Sequence, residues 1–280
     1  MRFSTLGLSA LLLTCATPAF AQEETAPPEP VTVSGSVTLA SDYRFRGVSQ
    51  SDKGFVIQGG ATVAHESGVY GGFWGSNLAG WGTFGGPNLE LDLFAGFKTP
   101  VGDGGTLDIG ATWYMYPDGA NTTDFIEPYV KLSGTAGPVS LTAGIFYAPP
   151  QEALGRWYFT GADAAAGVYN DPGDKEDNLY LSGDAVAAIP NTPISLRGHI
   201  GYSDGNPGLG PNGTSVAPTG QYWDYAVGAD LTYSGLTFGV TYVGTDISDA
   251  DGAYLLPNFS KGGFDSIADG TVVFSLTAAF

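Results

Sequence analysis

The chain has 280 residues, 43 of them glycine, and only 14% are charged, against about 25% in an ordinary soluble domain. Acidic residues outnumber basic ones 28 to 10, a formal charge of −18, so the cationic footprint that nucleic acid requires is absent. No stretch of about 18 consecutive apolar residues occurs, which excludes a helical membrane bundle. Aromatic residues make up 13% of the chain and sit in periodic segments, which excludes disorder.

The chain opens with Met1-Arg2, an apolar stretch from Phe3 to Ala16, and Ala19-Phe20-Ala21. A positive start, an apolar segment and an Ala-x-Ala site read as a secretory signal peptide over residues 1–21. A lipoprotein reading on Cys15 fits less well, because Thr14 precedes it and the cleavage site follows closely. Cys15 is the only cysteine, so cleavage removes thiolate catalysis, cysteine metal sites and disulfides together. Loss of Arg2 takes the charge to −19. Residues 22–32 carry Glu23, Glu24, Pro27, Pro28, Glu29 and Pro30, with little to bury, and are expected to form a flexible leader.

From residue 33 the apolar positions recur every second residue, the signature of strands exposed differently on their two faces. A first strand is expected at about 35–46, with Asp42, Arg44 and Arg46 on its polar face near the far end. The second and third, at about 54–65 and 69–76, follow, with Gln58 on the polar face. In the fourth, 89–98, Leu89, Leu91, Leu93, Ala95 and Phe97 oppose Glu90, Asp92 and Lys98. The fifth, 105–116, sets Leu107, Ile109, Ala111, Trp113 and Met115 against Asp108, Thr112 and Tyr114. Segments 124–133 and 139–147 continue the pattern, the former with Glu127 and Lys131 on the polar side. Asp184 then belongs to 177–188, Arg197 to 194–202, and Asp224 and Asp230 to 222–233. Segments at 236–245 and 269–280 complete twelve.

The connections alternate in length. His65-Glu66-Ser67-Gly68 and Ser234-Gly235 are tight turns, whereas about 149–176, 203–220 and 246–266 are long. Strands of about ten residues, joined by short turns at one end and long loops at the other, predict an all-β fold: a transmembrane up-and-down antiparallel β-barrel. An even strand number places both termini on the periplasmic side of a cell outer membrane. The outer face would meet outer-membrane lipid and lipopolysaccharide. Trp113, Tyr202, Trp223, Tyr225 and Tyr242 form one aromatic level, and Phe97, Tyr233 and Phe280 the other. The last strand ends on Phe280, a signal for the barrel-assembly machinery, although Ala278 is smaller than usual there.

Ser41-Asp42-Tyr43-Arg44-Phe45-Arg46-Gly47-Val48-Ser49-Gln50 resembles the opening of the TorF-like family of proteobacterial outer-membrane porins. The likeness continues through Ile57-Gln58-Gly59-Gly60, His65-Glu66-Ser67-Gly68, Gly72-Phe73-Trp74-Gly75-Ser76-Asn77 and Asn88-Leu89-Glu90-Leu91-Asp92, then thins. It implies an outer-membrane pore and supplies neither a substrate nor catalytic residues.

The polar face therefore carries the candidate site: Asp42, Arg44, Arg46, Gln58, Glu90, Asp92, Asp108, Tyr114, Glu127, Lys131, Asp184, Arg197, Asp224 and Asp230 as lining residues. Two readings stand side by side. The charges filter small polar solutes or ions across a water-filled constriction, with mild cation preference, or they pair and fill the barrel, leaving a structural or surface-binding role. A membrane-embedded hydrolase finds less support, since Gly-x-Ser-x-Gly is absent and no serine pairs clearly with His65. His65 and His199 lack second ligands at metal spacing. Asp246 to Gly252 begins like a calcium loop, but Ser260 stands where its closing glutamate belongs. No metal, cofactor or enzymatic activity is expected.

Overall fold

The computed structural model describes residues 30–120, 122–211, 216–255, 259–261 and 265–280. The expected signal peptide, 1–21, and most of the expected leader, 22–32, lie outside these. Twelve strands form the wall. The first six are β1 (Val31–Ala40), β2 (Val56–His65), β3 (Val69–Asn77), β4 (Leu89–Val101), β5 (Gly105–Met115) and β6 (Phe125–Ala136). The second six are β7 (Val139–Gln151), β8 (Glu176–Ala188), β9 (Ile194–Gly205), β10 (Gln221–Tyr233), β11 (Leu236–Thr245) and β12 (Thr271–Ala279).

Each strand pairs antiparallel with its sequence neighbours, and β12 closes on β1 with Ser36 opposite Ala279 and Ala40 opposite Ser275. Closure leaves the wall without a free edge. Inside the seam the Thr38 and Thr277 hydroxyls share a 2.8 Å hydrogen bond, both residues being buried. Replacing Thr38 with Val strands the Thr277 hydroxyl; a loss of about 1 kcal/mol is expected. Urea unfolding in detergent measures it, and the Thr38→Val, Thr277→Val pair should recover part of the loss.

The wall is inverted relative to a soluble protein. Leu93, Phe97, Ile109, Val130, Ile145 and Leu181 stand exposed on the outer face, while Glu90, Asp92, Asp108, Glu127 and Asp224 are buried inside. An apolar band around a charged interior is stable only where the surroundings are apolar too. Exposed Trp113, Trp223, Tyr225 and Tyr242 lie toward the long-loop end of the band, and Phe97, Tyr233 and Phe280 toward the end carrying the short turns.

The high glycine content has a local cause. A methyl group on Gly96 would stand 2.5 Å from the Tyr70 hydroxyl, and one on Gly110 2.5 Å from that of Tyr129. Inward glycines thus give tyrosine rings room to lie against the wall. At the Ser234-Gly235 turn both residues have positive φ (50° and 80°), the conformation a tight two-residue hairpin needs.

One expected element differs. The first strand ends at Ala40 rather than continuing to about 46, and it begins at Val31, before the expected leader boundary at 32. Asp42, Arg44 and Arg46 are therefore not wall residues. They belong to the first long loop, 41–55, which turns into the barrel.

Candidate functional site: the lumen and its inward loop

Within that loop Arg44–Phe45 and Val48–Ser49 make a small antiparallel hairpin. Its turn is Arg46-Gly47, with φ of 47° and 80°, which again suits a two-residue hairpin. Asp42 gathers the loop onto itself. Its carboxylate accepts from Arg44 Nε at 2.6 Å, Ser49 Oγ at 2.6 Å and Ser51 Oγ at 2.9 Å. Arg44 Nη1 also donates to the carbonyls of Gly47, Ile267 and Asp269, which ties the hairpin to the last long connection.

Arg46 reaches furthest across. Its Nη2 donates to Glu127 Oε1 on β6 at 2.6 Å, and its guanidinium lies 4.1 Å over the Tyr180 ring of β8. Its backbone carbonyl accepts from the Tyr222 hydroxyl of β10 at 3.0 Å. The Arg46–Glu127 pair is almost wholly buried, with side-chain exposures of 4% and 1%. Tyr43 packs edge-on to Trp74, and with Ala40, Val56 and Leu78 it seats the loop against the wall by apolar contact.

Below the loop the wall charges pair. Lys131 Nζ lies 3.4 Å and Lys98 Nζ 3.9 Å from Asp108, which also accepts from the Tyr70 hydroxyl at 2.6 Å. Arg197 sits 3.2 Å from Asp230. His199 bridges Asp184 at 2.7 Å and Asp224 at 3.0 Å, with the Tyr180 hydroxyl alongside. Gln58 and Tyr114 are buried on the same interior, and Tyr114 donates to Glu127 at 3.3 Å. All fourteen expected lining residues thus face inward, eleven from the wall and three from the loop.

Sequence reasoning did not find the two carboxylate partners of His199, nor the parts played by Tyr43, Ser49 and Ser51. Pairing across strands depends on register, and period-two spacing does not carry it. The hairpin had a signal in Gly47, which alternation through Tyr43 and Phe45 concealed.

The long-loop end is capped. Val48, Trp81, Leu209, Ala217, Tyr222, Ile247, Phe259, Ile267 and Ala268, from five separate segments, form one buried apolar cluster. Phe84 and Tyr158 pack against it. Burial, with the adjacent Tyr169, pushes the Tyr158 hydroxyl up to about 12.

A family model described as "Bacterial protein of unknown function (Gcw_chp)" matches residues 24–280. The chain belongs to this family. No curated protein matches. Among solved structures, the Gcw_chp chain is similar to the NanC porin in its rhombohedral crystal form, at 9% identity and a TM-score of 0.53. That match covers 88% of this chain and 99% of NanC. A membrane protein from a study of in-meso crystallisation is similar at 9% identity and a TM-score of 0.50, covering 89% of this chain and 83% of the other. At such identity the likeness shows the fold, and that fold is an outer-membrane, porin-type barrel.

Proposed function

We propose that this Gcw_chp protein is an outer-membrane channel for passive diffusion of small polar solutes or ions, narrowed by loop 41–55 and mildly cation-preferring. Both termini would lie on the periplasmic side, with the long loops facing outward among lipopolysaccharide and the Phe280 strand engaging the assembly machinery. The TorF-like likeness of residues 35–98 supports a pore. The observation that carries the reading is the set of acidic and basic side chains that line the interior. Asp42, Glu90, Asp92, Asp108, Glu127, Asp184, Asp224 and Asp230 face Arg44, Arg46, Lys98, Lys131 and Arg197, eight acids against five bases. A lumen of about −3 lowers the energy of cations, less so as salt screens it. No residue is asked to do covalent chemistry.

Reversal potentials under a salt gradient test this: a modest cation preference that shrinks with salt is expected. Anion selectivity would show that Arg44 and Arg46 dominate the passage. A filled barrel with a surface role is the second reading, favoured by the apolar cap around Trp81. Replacing residues 41–55 with a short Gly-Ser linker separates the two. A channel should conduct, and conduct several-fold more with the linker; a filled barrel should stay silent in both forms.

A further inference from the structure

The interior charges leave a remainder in one place. Asp42, Glu127, Asp108, Asp230 and the Asp184–Asp224 couple each face a basic side chain or His199. Glu90 and Asp92 do not. Among the described residues no basic side chain lies within ion-pair distance of either, although both are buried, at 3% and 1% exposure. They occupy alternate positions of β4 and so share its inward face, with Asp92 opposite Trp74 of β3 and Tyr114 of β5. Tyr43, from the inward loop, packs on Trp74 and places its hydroxyl in the same cluster.

Among the described residues neither carboxylate oxygen of Asp92 has a hydrogen-bond partner, and the Tyr43 hydroxyl, which lies toward Glu90, has none within 3.5 Å. Two adjacent buried carboxylates without a counter-charge are costly. One proton shared between the two carboxyls would still leave a negative charge in this buried cluster with no basic partner.

We propose that Glu90 and Asp92, with the Tyr43 hydroxyl as a neutral oxygen, bind one hard divalent cation of the Ca²⁺ class. Two carboxylates match its charge. Ca²⁺ accepts irregular oxygen sets, whereas Mg²⁺ keeps much of its own water and suits so dry a place less well. An ion here also fastens loop 41–55 to the wall through Tyr43, beside the Arg46–Glu127 pair, with Tyr114 of β5 between the two. With it bound, the lumen charge falls from about −3 to about −1, consistent with a mild rather than strong cation preference. The site does not depend on whether the barrel conducts.

The test is thermal unfolding of the refolded full-length protein in detergent, at fixed ionic strength, with Ca²⁺, Mg²⁺, Na⁺ alone, or EDTA. Ca²⁺ should raise the transition by several degrees over EDTA, with Mg²⁺ and Na⁺ giving less. Asp92→Asn and Glu90→Gln should each weaken the apparent Ca²⁺ affinity at least tenfold. In EDTA, Asp92→Asn should be no less stable than the unmodified protein, since it removes an unpaired charge while keeping the shape. If Asp92→Asn fails to refold, Glu90→Gln carries the comparison. A protein indifferent to Ca²⁺ and EDTA overturns the proposal. So does an equal Ca²⁺ response in the variants, which would place binding on the exposed acidic loops.

Discussion

Replacing Arg46 with Ala is expected to unseat the inward loop. The substitution leaves Glu127 buried at 1% exposure without its cation, and breaking one side of a buried pair costs about 3–5 kcal/mol. It also removes the guanidinium from the Tyr180 ring. The loss should be local, because β6 and β8 keep their ladders to neighbouring strands. Amide exchange and proteolysis should therefore rise within residues 41–55 while the barrel still migrates as a folded species. If the barrel conducts, single-channel conductance should rise as well. A compensating pair, Arg46→Met with Glu127→Met, removes both charges at similar volume and should restore much of the protection. Unchanged exchange in Arg46→Ala would mean that the apolar seat of Tyr43 and Val48 holds the loop without the ion pair.

The second large effect is on the outer face. Val130, near the middle of β6, is 44% exposed on the apolar band, and Arg there is expected to cost about 2–4 kcal/mol if it meets the bilayer midplane. The next residue, Lys131, already carries a charge, but inside, beside Asp108. Lys131→Arg should therefore assemble almost normally, whereas Val130→Arg should insert poorly into vesicles and lose heat-modifiable migration. Equal behaviour of these adjacent variants would contradict the placement of Val130 in lipid.

The barrel was legible because it rests on a local rule. Alternation along a strand assigns each side chain to a face, and a one-residue slip would move Leu93 inside and Asp92 outside. The expected segment at 236–245 coincides with β11, and 105–116 overshoots β5 by one residue. Tight turns also announce themselves locally, as Ser234-Gly235 does through the positive φ that its residues must adopt.

What the sequence by itself determined is the inverted wall: which residues face the surroundings, how many times the chain crosses, and which charges lie within. What only the tertiary structure decided is where residues 41–55 go and which charges meet. Asp42, Tyr43, Arg44, Phe45 and Arg46 keep the alternation of a strand, so nothing short-range distinguishes an extended β1 from a hairpin folded into the lumen. The choice is made by partners 81 and 176 residues further along, Glu127 accepting from Arg46 and the Tyr222 hydroxyl donating to the Arg46 carbonyl. Those groups reach the same point in space only once the barrel has closed and fixed its register. Counter-charges follow the same logic: Arg46 takes Glu127, and Glu90 and Asp92 are left to each other, because ion pairing depends on distance across the lumen and not on spacing along the chain.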